Sequence, residues 1–203
     1  MYLSRLLLND QSRQVQSDLC QPYGLHRTVL AGFAAEEMGP RVLYRADLWG
    51  STPALLVQSQ SRPDWGCLPG HYVLSEGLEP GLAVRYFEPE LRRGQALAFR
   101  LRANPTQRRR GKRRAWLTGD EQRAWLERKG QQAGFSILSV DCQMEGLTLL
   151  SKRLHLPPLR LNSVLYEGVL EVTDPDQCAH AVATGIGSAK AFGFGLLSLA
   201  PLQ

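Results

Sequence analysis

One histidine lies close to a tyrosine and an arginine in the segment Tyr23-Gly24-Leu25-His26-Arg27. Pro22 precedes this segment and is a typical first residue of a helix, so the pattern predicts a helix from Tyr23 to about residue 35. Residues three positions apart share a helix face, which places the Tyr23 phenol beside the His26 imidazole. An imidazole exchanges protons near neutral pH, a phenol can orient it, and Arg27 can offset negative charge. The segment is therefore a candidate site of general acid–base chemistry; the alternative is a structural histidine.

A second candidate site is the glycine-containing segment Gly185-Ile186-Gly187-Ser188-Ala189-Lys190. It is not a nucleotide-binding P-loop, because it lacks the G-K-[ST] half of that motif and follows a predicted helix instead of a strand. Glycines still let backbone N–H groups approach phosphates closely, and Lys190 adds a positive charge. Gly185, Gly187 and Lys190 are therefore candidate contacts to a phosphate backbone. The alternative is a helix C-cap at Gly185 followed by an ordinary turn.

Positive charge is concentrated between Leu91 and Arg114, where ten Arg or Lys residues occur without any Asp or Glu in a chain of net charge +5. A field of this kind attracts polyanions, of which RNA is the best candidate. The candidate contacts in and beside this stretch are Arg102, Arg108, Arg109, Arg110, Lys112 and Arg113. Three further candidates flank the Pro-rich tip of a predicted hairpin, namely Lys152, Arg153 and Arg160. The alternative interpretation of the basic stretch is a solvated, self-repelling linker, and that of the hairpin is a solvated strand edge protected by its charges.

Metal and cofactor chemistry has little support in the sequence. The acidic residues are scattered, and the four cysteines are widely spaced without a C-x-x-C pair, so neither a carboxylate cluster nor a zinc site is expected. A metal-independent reaction is favoured, for which RNA supplies its own nucleophile, the 2′-hydroxyl. Free thiols are typical of a reducing cytoplasm. No apolar run reaches membrane-spanning length, and residues 1–10 predict a strand instead of a signal peptide.

The order of predicted elements indicates an α+β fold of two tandem ferredoxin-like (RRM-like) β-α-β-β-α-β domains. The first domain covers residues 1–105 and ends with an alternating strand, Gln95 to Ala103. A basic linker, 106–113, leads to a second domain, 114–203. A short strand is predicted within 112–117, at the start of this domain. There Thr118 and Asp174 are predicted N-caps of helices that end near residues 133 and 184, and residues 147–154 and 192–199 are predicted strands.

Several segments together resemble the CasE family, the CRISPR-associated endoribonucleases of type I-E systems. They occur in family order and span nearly the whole chain: residues 2–9, 22–28, 99–105, 111–113, 167–175 and 185–197. The resemblance implies metal-free cleavage of CRISPR repeat RNA at the 3′ base of its hairpin, leaving a 2′,3′-cyclic phosphate and a 5′-hydroxyl. It also implies that the protein stays on its product as a subunit of the Cascade complex.

The resemblance further implies a role for individual residues. His26 would transfer the proton with help from Tyr23, while Gly185, Gly187 and Lys190 would contact the RNA backbone. Which of Tyr23 and His26 serves the nucleophile and which the leaving group stays open. Two alternatives remain beside the nuclease: a non-catalytic RNA-binding scaffold of the same fold, and a small-molecule enzyme that uses the glycine segment to bind a nucleotide.

Overall fold

The computed structural model describes residues 1–34, 41–75, 81–109, 112–114, 118–150 and 159–202. Within them the chain divides into two compact units. The first unit consists of Met1–Glu88 together with Ala191–Gly193, and the second consists of Pro89–Lys190 together with Phe194–Gln203. No helix in the described ranges is both long and apolar enough to cross a membrane.

The first unit is a four-stranded antiparallel sheet covered by two helices. Its elements in chain order are β1 (Tyr2–Leu7), α1 (Arg13–Cys20), α2 (Pro22–Ala31), β2 (Leu43–Trp49), β3 (Thr52–Ser59) and β4 (Leu82–Tyr86). The strand order is β2-β3-β1-β4, and a short 3-10 helix, Trp65–Cys67, follows β3. Apolar side chains from the sheet and both helices form one core, including Leu6, Val15, Leu25, Val29, Tyr44, Leu55, Val57 and Tyr72. The strand predicted at residues 1–10 is confirmed.

The second unit repeats this plan. Its elements are β5 (Ala96–Ala103), β6 (Gln107–Arg109), β7 (Lys112–Arg114), α3 (Gly119–Gln132), β8 (Phe135–Leu150), β9 (Leu159–Val172), α4 (Pro175–Thr184) and β10 (Leu197–Pro201). The main sheet has the order β10-β5-β9-β8. The four strands of each main sheet can be counted in chain order, which leaves out the separate pair β6–β7. In both units the first and third of these strands are central and the second and fourth are at the edges. The predicted α+β fold of two tandem ferredoxin-like domains is confirmed.

The helix N-caps predicted from the sequence are confirmed in the second unit. The Thr118 hydroxyl accepts a hydrogen bond from the Glu121 N–H at 3.4 Å, and the Glu121 side chain accepts one from the Thr118 N–H, which completes a capping box. Asp174 accepts a hydrogen bond from the Gln177 N–H at 3.0 Å and begins α4. These caps satisfy backbone donors that helices leave unpaired, so the local sequence was sufficient to place both helix starts.

Strand β5 belongs to the second sheet, whereas the sequence analysis placed it at the end of the first domain. Its Leu101 pairs with Tyr166 of β9 on one side and with Leu197 of β10 on the other. The chain accordingly passes into the second unit after Glu88, and not at residue 105. The alternation of apolar residues in β5 correctly indicated one buried face, but alternation does not specify the partner strand.

Three other expectations about the second unit differ from the structure. The predicted linker 106–113 instead contains strand β6, whose Arg108 lies opposite Arg113 of β7. The short strand predicted within 112–117 is confirmed at Lys112–Arg114, and residues 115–117 lie outside the described part of the chain. Residues 147–150 continue β8, which is one long strand with irregularities near Leu138 and Glu145. The final strand is β10, from Leu197, and not residues 192–199, because glycines with positive φ at 193 and 195 interrupt the extended backbone.

A close approach of backbones in the second sheet yields the first prediction. A Cβ atom on Gly168 in β9 would overlap the carbonyl oxygen of Ser139 and lie 2.8 Å from the Cα of Val140, both in β8. We expect Gly168→Ala to lower the free energy of unfolding by about 1–3 kcal/mol, since the ladder must shift to admit the methyl group. Urea denaturation measures this change.

The matched control is Gly119→Ala at the start of α3. A Cβ there meets no atom within 4 Å, so this variant should be neutral or slightly stabilising. Equal stability of Gly168→Ala and Gly119→Ala would contradict the close packing of β8 on β9.

Candidate active site

Helix α2 places the Tyr23 and His26 side chains on one flank of the first unit. Pro22 begins the helix, and the buried residues of α2 are Gly24, Leu25 and Val29. Since these residues face the core, Tyr23 and His26 are left half-buried at its edge, while Arg27 points outward and is exposed. The predicted helix is confirmed as far as Ala31, where it ends earlier than expected. Tyr23 and His26 therefore share one edge of the helix, and Arg27 is on its exposed side.

A buried carboxylate fixes α2 against α1. Asp18 is 2% exposed and accepts hydrogen bonds from Gln14 Nε2 at 2.9 Å, from Thr28 Oγ1 at 2.7 Å and from the Tyr72 hydroxyl at 2.9 Å. Gly24 makes the close approach possible, because a Cβ atom there would lie 2.9 Å from Asp18 Oδ1. These contacts set how α2 lies on the unit and thereby the direction of the Tyr23 and His26 side chains.

Two aromatic residues surround the His26 ring. The Tyr44 ring of β2 lies nearly parallel to it, with centroids 6.4 Å apart and an interplanar angle of 24°. The Phe192 ring lies at the same distance, tilted by 55°. Phe192 also meets Tyr23 edge-on, with centroids 5.0 Å apart. Tyr44 and Phe192 were not among the candidate residues of the sequence analysis. Tyr44 belongs to no motif, and Phe192 lies in the family-matching segment 185–197, of which only Gly185, Gly187 and Lys190 were singled out.

Burial changes the proton affinity of His26. Loss of hydration lowers the pKa of its imidazole below the ordinary 6.5, because burial disfavours the charged form. Nδ1 of the ring is buried and makes no hydrogen bond within the part of the chain that the structure describes. At neutral pH the imidazole is therefore mostly uncharged and able to accept a proton.

The residues that follow Lys190 complete the environment of the His26 ring. Ala191–Gly193 belongs to the first unit, although the sequence on either side of it belongs to the second. The Tyr44 hydroxyl donates a hydrogen bond to the Ala191 carbonyl at 2.7 Å. Gly193 has a φ of +81°, and a Cβ atom there would lie 3.3 Å from the Tyr44 ring. Glycine therefore allows the segment to lie against Tyr44 in a conformation that other residues rarely adopt.

In the second unit, the glycine segment forms the end of α4. The Gly185 N–H donates to the Ala181 carbonyl at 2.8 Å, and the φ of Gly185 is +75°, so this glycine terminates the helix. Lys190 Nζ donates to the Thr184 carbonyl at 2.7 Å, which places a positive charge at the negative end of the helix dipole. The helix-cap interpretation of Gly185 is confirmed, and a cap does not prevent phosphate binding by the same loop.

The glycine segment also lines a cleft in the second unit of about 710 Å³. The predicted contact residues Gly185, Gly187 and Lys190 are all in its wall, together with His180, for which the sequence had suggested no role. The remaining wall comes mainly from α3 and α4, through residues such as Trp125, Lys129, Gln132, Asp176, Gln177 and Ala181. The three glycine-segment candidates thus lie together on one concave surface.

The basic candidates fall into three groups. Arg108, Arg109, Lys112 and Arg113 lie on the paired strands β6 and β7, where only their backbone positions are described. Arg160 is exposed near the start of β9, whereas Arg102 forms a two-point ion pair with Glu145, with Nε 2.6 Å from Oε2. Arg110, Lys152 and Arg153 lie outside the described residues. Among the residues described, no three His, Cys, Asp or Glu side chains are grouped so as to hold a metal ion.

Comparisons with known proteins agree with this architecture. A profile of the family described as "CRISPR associated protein" matches residues 1–201. The chain is 39% identical over 217 residues to the CRISPR-associated endoribonuclease Cse3 of Thermus thermophilus, covering 99% of this chain and 100% of that relative. It is 34% identical over 139 residues to the CRISPR system Cascade subunit CasE of Escherichia coli, covering 60% and 66% of the two chains.

The fold comparison reaches the same group of proteins. A structure of Thermus thermophilus Cse3 bound to an RNA representing a pre-cleavage complex superimposes with a TM-score of 0.84 at 38% identity, covering 98% of each chain. Sequence and fold therefore match over nearly the whole length. The chain is a member of the CasE family of CRISPR-associated proteins.

Proposed function

We propose that this protein is a site-specific, metal-independent endoribonuclease that cleaves CRISPR precursor RNA at the base of the repeat hairpin. The observation that carries the proposal is the half-buried His26, whose pKa is lowered by burial, on the same helix face as Tyr23. Cse3, a relative that matches this chain over nearly its whole length, is named an endoribonuclease, and a structure shows it bound to an RNA representing a pre-cleavage complex.

The reaction we propose uses the 2′-hydroxyl of the RNA as nucleophile. Neutral His26 accepts the 2′-hydroxyl proton as the 2′-oxygen attacks the adjacent phosphorus, and the bond to the 5′-oxygen breaks. The phosphate becomes a 2′,3′-cyclic diester, and the departing 5′-oxygen takes a proton to leave a 5′-hydroxyl. The Tyr23 hydroxyl, on the same helix face, either supplies the proton to the leaving oxygen or orients the nucleophile, in which case water supplies that proton.

RNA binding is proposed to use the basic and glycine-rich surfaces. The β6–β7 pair presents Arg108, Arg109, Lys112 and Arg113 on two short strands, a concentration of charge suited to phosphates. In the second unit, the loop at Gly185 and Gly187 provides backbone approach and Lys190 provides charge. Arg27, Arg102 and Arg160, with Arg110, Lys152 and Arg153, complete the proposed contacts.

The product complex is the second part of the proposal. After cleavage the protein stays on the mature RNA and joins the other Cascade subunits, as the name of the Escherichia coli relative, a Cascade subunit, suggests. The cytoplasmic location expected from the sequence stays a prediction.

Removal of His26 tests the catalytic part directly. We expect His26→Ala to slow single-turnover cleavage of a labelled repeat hairpin in excess EDTA by about 10²–10⁴-fold, because proton transfer is lost while RNA binding persists. The control is His71→Asn, at an exposed histidine of the first unit whose φ of +63° asparagine tolerates. Intact RNA with the unmodified protein would instead favour a non-catalytic RNA-binding scaffold.

The nucleophile has its own test in the substrate. An RNA with a single 2′-deoxy substitution at the cut site should bind with unchanged affinity but resist cleavage, since it lacks the attacking oxygen. Cleavage products are separated by gel electrophoresis, and a 2′-deoxy substitution one nucleotide away serves as control. Normal cleavage of the modified site would show that the attacking group is not the 2′-hydroxyl.

Salt dependence tests the basic strands. Arg108→Ala should weaken RNA binding and reduce the slope of log affinity against log salt by about 1, because one phosphate contact is lost. Arg128→Ala, at an exposed arginine of α3, is the matched control. Fluorescence anisotropy at several salt concentrations measures both, and an equal slope for the two variants would count against β6–β7 as an RNA surface.

A further inference from the structure

We propose that Tyr44 and Phe192 are positioning residues that together hold the His26 imidazole in its orientation for proton transfer. The inference rests on the proposed function, because it assigns a role to His26 in the reaction. Neither residue needs to touch RNA. Both act through the imidazole, Tyr44 from the sheet and Phe192 from the segment Ala191–Gly193.

Aromatic rings lie on two sides of the imidazole and limit how far it can turn. The Tyr44 ring is nearly parallel to it at 24° and the Phe192 ring is tilted by 55°, each with its centroid 6.4 Å away. Phe192 also contacts Tyr23 edge-on at 5.0 Å, an arrangement that aromatic pairs prefer. One phenyl ring thus touches both candidate catalytic side chains and fixes their relative positions.

Tyr44 is itself held rigidly. It is 1% exposed, packs in the core of the first unit and pairs with Val57 in the sheet. Its hydroxyl donates to the Ala191 carbonyl at 2.7 Å, and burial keeps that hydroxyl protonated because it raises the pKa of the phenol. The ring of Tyr44 therefore supports His26 while its hydroxyl anchors the segment that carries Phe192.

Gly193 shows that the segment fits this place closely. A Cβ atom there would lie 3.3 Å from the Tyr44 ring, so the ring or the segment would have to give slightly, and the φ of +81° strains any residue other than glycine. The Tyr44–Ala191 hydrogen bond and the Gly193 contact flank Phe192 on either side in sequence. The position of the Phe192 ring is consequently determined by its neighbours as well as by its own packing.

Few charges act on the imidazole from these elements. Helix α2 contributes Tyr23 and the exposed Arg27, β2 contributes Tyr44, and Ala191–Gly193 contains no titratable side chain. Burial is the cause of the lowered pKa of His26, and the two rings supply part of that burial. Removing a ring admits water and should raise the pKa towards its ordinary 6.5.

The experiment compares Phe192→Leu and Tyr44→Phe with the unmodified protein. Single-turnover cleavage at saturating RNA should slow by about 10–100-fold in Phe192→Leu, because a displacement of about 1 Å can cost 10²-fold. Tyr44→Phe keeps the stacked ring but loses the Ala191 hydrogen bond, so its loss should be smaller. Phe192→Tyr retains the aromatic ring, so its single-turnover cleavage rate should lie close to that of the unmodified protein and well above that of Phe192→Leu. RNA affinity should be unchanged in all three.

NMR titration of the histidine ring protons provides a readout independent of activity. The His26 signal, identified by its loss in His26→Ala, should titrate at higher pH in Phe192→Leu than in the unmodified protein, and the pH at which the cleavage rate is half-maximal should move the same way. The control is Tyr166→Phe, which removes a buried phenol bonded to the Gln122 carbonyl in the second unit and should change neither quantity.

Two results would overturn the inference. One is an unchanged His26 titration and cleavage rate in both Phe192→Leu and Tyr44→Phe. The other is an equal loss of rate in Tyr166→Phe, which would mean that the effect comes from weakened folding. Cleavage at the unmodified rate in His26→Ala would separately refute the proton-transfer role proposed for His26, while the NMR titration would still report whether the two rings hold the imidazole.

Discussion

The candidate active site depends on the buried carboxylate of Asp18. Burying such a group is costly unless its lone pairs are satisfied, and three side-chain donors from α1, α2 and the residue Tyr72 satisfy it. The carboxylate thereby joins three separate parts of the first unit at one point. Gly24 lets α2 lie close to Asp18, and sliding or rotating that helix would break its hydrogen bond from Thr28 to the carboxylate. The orientation of Tyr23 and His26 follows from this constraint.

The surroundings of His26 come from distant parts of the chain. Tyr44 and Ala191, joined by a hydrogen bond, are 147 positions apart in sequence. Ala191–Gly193 belongs to the first unit although the chain enters it from the second and returns there. A fragment that contains α2 and the first sheet but ends before residue 191 would therefore lack Phe192, the ring that touches both Tyr23 and His26. The candidate site is complete only when the C-terminal part of the chain is present.

Local signals in the sequence were sufficient for part of this structure. Pro22 and the spacing of Tyr23 and His26 predicted a helix with both side chains on one face, and α2 has this form. Long-range pairing was not accessible in the same way: alternation in residues 96–103 indicated a buried face but did not reveal that β9 and β10 flank it. Tyr44 was missed because a buried aromatic residue in a strand has the same pattern whether it supports a core or an imidazole.

The buried Nδ1 of His26 shows why such a site needs a rigid support. A buried polar atom without a partner costs about 1–3 kcal/mol, and protonation would make that nitrogen the donor of a cation. The pKa of the folded form is therefore lower than that of the unfolded chain, which binds more protons as the pH falls below about 6.5. Stability contributed by neutral His26 is present above this pH and is lost as the pH falls through the lowered pKa. The burial that makes the fold sensitive to acid also keeps the imidazole ready to accept a proton at neutral pH. Readiness for proton transfer and stability thus oppose each other within one side chain, while the hydrogen bonds of Asp18 hold the helix that carries it.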